Sequence, residues 1–167
     1  MKSDWTEIPD QAAADRLLTL FGHFHDSLLR ECKYCSGTFI DLQRTLHLGR
    51  KPFLRCLFQR QWANPLAVEL VFGELRELQL KPDPDNGIEL ASIQVELDQI
   101  KWSDDCGGLI HSRTLHWRVV DDWIGIRERF TAVCETDLEY YTAEPDEDER
   151  LHYVRFRGKK IKAAGGT

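Results

Sequence analysis

The chain has no long apolar run. Its most hydrophobic stretch, Leu66 to Phe72, is broken by Glu69 and falls well short of the roughly 20 residues a membrane helix needs. No membrane association is expected. Residues Met1 to Asp10 carry neither a basic segment nor an apolar one, so no secretory signal is read there and a cytoplasmic protein is expected. Positive charge is also short: 22 Lys and Arg against 28 Asp and Glu leave a formal net charge of -6. Duplex nucleic acid is a poor partner for such a chain, because counterion release requires a positive surface. The five cysteines, Cys32, Cys35, Cys56, Cys106 and Cys134, form an odd set without a signal segment, which favours reduced thiols over a disulfide framework. Phosphate-cradling glycine loops, nucleophile elbows and zinc-protease helices are all missing, and no cofactor is expected.

What remains is an ordinary globular composition, 42% hydrophobic and 30% charged over 167 residues, enough for one domain with one core. Three segments are distinguished within it: an N-terminal helix in 1–22, a β-rich body in 23–134, and a C-terminal hairpin with a basic tail in 135–167. Ala14, Leu17, Leu18 and Phe21 recur at helical spacing, Asp10 is placed to cap the helix, and Gly22 suits its left-handed stop.

Beyond Gly22 the period becomes two. Ala91, Ile93, Val95 and Leu97 alternate with polar residues, and Phe53–Gln61 with Leu66–Gly73 read as an antiparallel hairpin around Ala63-Asn64-Pro65. Further strands are predicted at Leu28–Cys35, Leu42–Leu48, Leu109–Val119, Ile124–Val133, Leu138–Thr142 and Leu151–Arg157. The apolar parity slips at Gly73 and between Leu97 and Ile100, which predicts curvature. The expected fold is therefore α+β: a curved, mainly antiparallel sheet, an open barrel or sandwich-like, with the N-terminal helix packed on it. Charge is segregated toward the C-terminus: Glu135–Glu149 holds eight acids and no base, and Arg150–Thr167 six bases and no acid. A solvated acidic turn, Glu144 to Glu149, and a basic tail are expected.

The stretch Phe21-Gly22-His23-Phe24-His25-Asp26-Ser27 gathers metal-ligand and acid-base residue types, with Cys32 and Cys35 close behind. A metal site would draw on His23, His25, Cys32 and Cys35, and a hydrolytic one on His23, His25 and Asp26. Consecutive side chains on a strand diverge, however, so His25, Asp26 and Ser27 cannot act as a relay. Local roles follow instead: His25 half-buried, and Asp26 or Ser27 accepting backbone N–H bonds. Cys32-Lys33-Tyr34-Cys35 lies in a strand rather than at a helix start, which argues against a thioredoxin-type centre; Cys32 is expected to pack inward with Tyr34, and Cys35 to lie near the surface.

Asp83 to Gly87 falls short of a calcium loop, and the pairs Asp104-Asp105 and Asp121-Asp122 sit at strand ends. Five tryptophans are many for this length; Trp62 and Trp123 are expected to be partly exposed, and Gln59-Arg60-Gln61-Trp62 is the stretch best suited to a partner contact.

With these residues located, the chain resembles a group of small uncharacterised bacterial proteins. The likeness rests on Phe24-His25-Asp26-Ser27 with Leu28, Phe58-Gln59-Arg60-Gln61 with Pro65 and Glu69-Leu70, Ile100-x-Trp102-x-Asp104, and Leu115-x-Trp117-Arg118. It covers about Phe24 to Arg118 and implies a mostly β domain without a mechanism. The expected function is a small soluble, non-enzymatic protein-interaction domain of inhibitor or immunity type, contacting its partner through His25, Asp26 and Gln59–Trp62. The alternatives are the metal or hydrolytic site and a small-ligand cavity in the curved sheet.

Overall fold

The computed structural model describes residues 5–49, 51–81, 87–120 and 130. The expected strands from Ile124 onward, the acidic turn, the basic tail, Asp121-Asp122, Trp123, Cys134 and the core of the Asp83–Gly87 segment lie outside the described residues.

In chain order the elements are β1 (Thr6–Glu7), α1 (Gln11–Leu20), a 3-10 turn (Gly22–Phe24), β2 (Ser27–Cys35), β3 (Phe39–Ile40), β4 (Leu46–His47), β5 (Phe53–Arg60), β6 (Ala67–Gly73), β7 (Glu77–Gln79), β8 (Ala91–Glu96), β9 (Gln99–Asp104), β10 (Leu109–Ser112) and β11 (Thr114–Val119). They form a five-stranded sheet ordered β1-β11-β6-β5-β2, a four-stranded sheet ordered β7-β10-β9-β8, and the separate pair β3-β4. Every pairing among them is antiparallel. The sheets are not closed into a barrel. Among the described residues no helix is long and apolar enough to cross a membrane.

The helix starts where its sequence says it should, with the Asp10 side chain accepting from the Ala13 N–H at 2.8 Å. Its buried stripe is Ala13, Ala14, Leu17 and Leu18. Gln11 fastens the helix to the free edge of β8, its amide donating to the Ile93 carbonyl and accepting from the Val95 N–H, both at 2.9 Å. That bond pair occupies backbone groups an edge strand would otherwise expose.

One continuous core joins the helix, the inward face of the five-stranded sheet (Leu54, Cys56, Phe58, Val68, Leu70, Phe72, Leu115) and the four-stranded sheet (Ala91, Ile93, Ile100, Trp102, Ile110). Trp102 lies at its centre, with ring centroids 6.1 Å from Phe24 and 5.4 Å from Phe58. Both parity slips have a cause other than curvature within one sheet. At Gly73 the chain leaves one sheet for the other, and Arg113 makes the return crossing alongside, its N–H donating to the Gly73 carbonyl at 3.1 Å. Leu97 and Asp98 form a two-residue turn between β8 and β9, since Glu96 pairs with Gln99. Leu109–Val119, read as one strand, is thus two, divided between the sheets at Arg113.

The outward face of the five-stranded sheet is also covered. Phe53 through Phe58 and Ala67 through Gly73 are buried at every position, so both central strands have two dry faces. On the outward face Glu69, 0% exposed, accepts from Arg55 Nε and, at 3.0 Å, from Arg118 Nε. Arg55 lies over the Phe130 ring and Arg118 over Trp5, at 4.9 and 4.2 Å. A buried carboxylate held by two guanidiniums is costly to break from one side. Glu69→Ala is expected to destabilise the protein by about 3–5 kcal/mol in urea unfolding, and a loss under about 1 kcal/mol would show that the three charges do not depend on one another.

Candidate functional site

Three surfaces follow from this frame. The first begins at the helix end, where Gly22, His23, Phe24 and Asp26 all take positive φ values of 52 to 65°. A side chain at Gly22 would place its Cβ 2.8 Å from Arg60 Nη1, so glycine answers both the conformation and the space. This tight reversal buries Phe24 and turns His25 and Asp26 outward. The backbone N–H of Ile88 bonds the Ser27 carbonyl, which brings Glu89 beside them. His25 Nδ1 then lies 2.8 Å from Glu89 Oε2, and its Nε2 3.8 Å from Asp26 Oδ2. One ligand atom from each of the three falls within 4.8 Å of the others, with all three residues exposed.

His25 is exposed rather than half-buried, because its ring projects from the turn to Glu89. Ser27 donates its hydroxyl to the Phe24 carbonyl instead of accepting from the backbone. The other expected metal ligands are not brought to this group. His23 is exposed on the turn itself. Cys32 is six residues along β2 from Asp26, about 20 Å at strand rise.

Cys32 and Cys35 point to opposite faces of β2. A register shift between Leu29 and Glu31 places Cys32 opposite Cys56 on the core side and Cys35 opposite Phe53 on the other. Cys32 and Tyr34 are nevertheless exposed, because β2 is an edge strand; Cys35 is half-buried against Phe53 and Val71. The expectation of an inward Cys32 and a surface Cys35 is reversed for that reason.

The second surface is the turn after β5. Arg60 donates to the carbonyls of Pro65 at 2.8 Å and Leu20 at 3.2 Å, and its guanidinium lies 4.6 Å from the Phe21 ring centre. The Gln61 N–H donates to the Asp26 carbonyl at 3.0 Å. Arg60 therefore ties the turn to the helix end, and it closes the β2–β5 ladder opposite Ser27, one residue beyond the Gln59–Leu28 pair. Trp62 is left 88% exposed on a turn held from both sides.

The third surface was not singled out by sequence. The segment read as a strand over Leu42–Leu48 is a small hairpin arm, β3 and β4 joined through Asp41–Thr45. Asp41 organises it: Oδ1 accepts from the N–H groups of Gln43 (2.9 Å) and Thr45 (2.8 Å), and Oδ2 lies 2.8 Å from His47 Nε2. The His47 ring stacks on Phe39 at 4.6 Å. At the base Gly37 and Gly49 meet back to back, and a Cβ on Gly49 would lie 2.1 Å from the Gly37 carbonyl carbon. Ile40, Leu42, Leu46 and Leu48 are 65, 81, 57 and 75% exposed.

Among the described residues, concave features offer little beside these surfaces. Shallow open clefts lie along Tyr34 with Leu75–Leu78 and along Asp15, Arg16, Thr19 and Leu20. Between the sheets, Phe24, Phe58 and Trp102 fill the centre. No family model matches the chain, and no curated protein or solved structure matches it either.

The hydrogen bonds from His47, Thr45 and Gln43 hold the Asp41 carboxyl below its ordinary value. A carboxyl lowered by folding stabilises above its unfolded pKa of about 3.9, and that contribution is lost as pH falls through the lowered folded value. The amide proton shifts of Gln43 and Thr45 are expected to titrate together, with a midpoint below about 3.9 in an NMR pH series. A midpoint at the ordinary value would show that the arm is not organised by Asp41.

Proposed function

We propose that the protein is an interaction domain that acts by binding another protein, and that the hairpin arm is its contact element. The observation that supports this reading is the exposure of Ile40, Leu42, Leu46 and Leu48 within nine residues of a segment with its own hydrogen-bonded scaffold. Soluble proteins seldom leave large apolar side chains clustered in water without use. Burying each of the four would contribute roughly 1.5–3 kcal/mol before the costs of association. Asp41 and the stacked Phe39–His47 pair order the arm in advance, which reduces the entropy lost on docking.

The net charge of -6 adds long-range attraction to a basic partner, in keeping with the small inhibitor or immunity type. Encounter would be governed by charge and affinity by the arm. Trp62, with Gln59 and Gln61 beside it and His25 and Asp26 behind the same turn, forms a separate exposed aromatic surface suited to a further contact.

The test is a photo-activated crosslinking residue placed at Leu42 and, as a control, at Leu97, a fully exposed leucine on the β8–β9 turn. In cells of the source organism the Leu42 position is expected to trap one discrete partner protein that the Leu97 position does not. Equal trapping at both positions, or none at Leu42, would overturn the reading. A product with twice the mass of the chain would reassign the arm to self-association.

A further inference from the structure

Cys32 and Cys56 are directly opposed across the β2–β5 ladder. Residues so placed have Cα atoms about 4.5 or 5.5 Å apart, according to whether the pair is hydrogen-bonded. Both separations lie inside the roughly 4.4–6.8 Å range of disulfides. Their Cβ atoms, about 4.5–5.5 Å apart in such pairs, need to close by no more than about 1 Å to reach the disulfide range, a movement open to an edge strand with a register shift beside it. We propose that Cys32 and Cys56 are an oxidation site, forming a cross-strand disulfide with small-molecule disulfides such as oxidised glutathione, Cys32 reacting first and Cys56 resolving.

The order follows from access. Cys32 is exposed, whereas Cys56 is fully buried in the main core. The Cys32 thiolate attacks one sulfur of oxidised glutathione and expels one glutathione thiolate, leaving a mixed disulfide. Cys56 gives its proton to solvent and its sulfur attacks Cys32, expelling the second glutathione thiolate. Two protein thiols are thereby oxidised by two electrons and one glutathione disulfide is reduced to two thiols.

No other described cysteine competes for the second step. Cys35 faces the opposite side of β2, and Cys106 lies beyond β9, its sulfur against the Gly87 carbonyl. Burial raises the Cys56 thiol well above its ordinary range, a charge on nearby Cys32 raises it further, and partial desolvation raises Cys32. The reduced pair is consequently slow to react at neutral pH, and the bond forms only under sustained oxidising conditions. Once formed, it joins the edge strand to its neighbour three residues before the strand ends and the arm begins.

The full-length protein, native by circular dichroism, is incubated with excess oxidised glutathione and mapped by mass spectrometry without reduction. A single intramolecular bond between the Cys32 and Cys56 peptides, with loss of two hydrogens, is the expected product. Cys35→Ser, Cys106→Ser and Cys134→Ser should leave it in place. Cys56→Ala should stop at the Cys32–glutathione adduct, and Cys32→Ser should leave Cys56 unreacted. Amide exchange across Cys32 to Cys35 should slow several-fold in the oxidised protein. A persistent glutathione adduct on Cys32 in the wild type, or linkage of Cys32 to any cysteine but Cys56, would overturn the proposal.

Discussion

The charge of Glu69 is the constraint around which the five-stranded sheet is arranged. The residue sits in the middle of β6, within a strand buried at every position, and its carboxylate would be untenable there alone. Among the described residues two partners come from the two neighbouring strands: Arg55 diagonally across β5 and Arg118 directly opposite on β11. Three strands must therefore be in register before the charge is satisfied, and a shift of one residue on either side would send a guanidinium to the other face. The interaction specifies the sheet more than it stabilises it, since an apolar trio would avoid the desolvation penalty altogether. Register is what the ion triad fixes, and register in turn sets Cys56, Leu70 and Trp117 in one row on the core side.

Two-sided burial of the central strands limits where a surface can have any chemistry of its own. Atoms between the layers are committed to packing, and the outward face is committed to the ion triad and its aromatic cover. Around the five-stranded sheet what is left is the perimeter: the edge strand β2, the turns at either end of β5, and the arm. Loops and edges of this kind are the usual place for binding sites on a rigid frame.

The local elements could be read from the chain because their causes are local. Asp10 caps a helix through a hydrogen bond spanning three residues, Gly22 takes the left-handed turn after it, and Ala91–Glu96 shows one dry face. The antiparallel hairpin of β5 and β6 was legible for the same reason. The crossings at Gly73 and Arg113 were not, because a chain that changes sheet leaves the same parity signature as a bulge within one sheet. Glu89 could not be placed beside His25 from the sequence, since 64 residues separate them and one pair of backbone bonds between Ser27 and Ile88 brings them together. The arm was hidden by its composition: Leu42–Leu48 read as a strand, and among the described residues no layer packs over Leu42, Leu46 and Leu48, which leaves them exposed.

The arm and the Trp62 turn lie at opposite ends of the same two strands. β5 runs from Phe53, next to the arm, to Arg60, next to Trp62, a span of about 25 Å over eight residues at strand rise. A single small ligand cannot bridge that distance, whereas a protein interface of ordinary size can. Each end is also fastened differently. The Trp62 turn is held by Arg60, whose guanidinium reaches carbonyls on the helix and on the turn, so it moves only with the body of the domain. The arm is held by its own Asp41, and at its base Gly37 packs closely on Gly49 while the Gly49 N–H donates to the Thr38 hydroxyl at 3.0 Å, so its shape is set within the arm itself. The same strands thus carry a fixed aromatic surface at one end and an internally ordered apolar one at the other, and neither depends on the other for its shape.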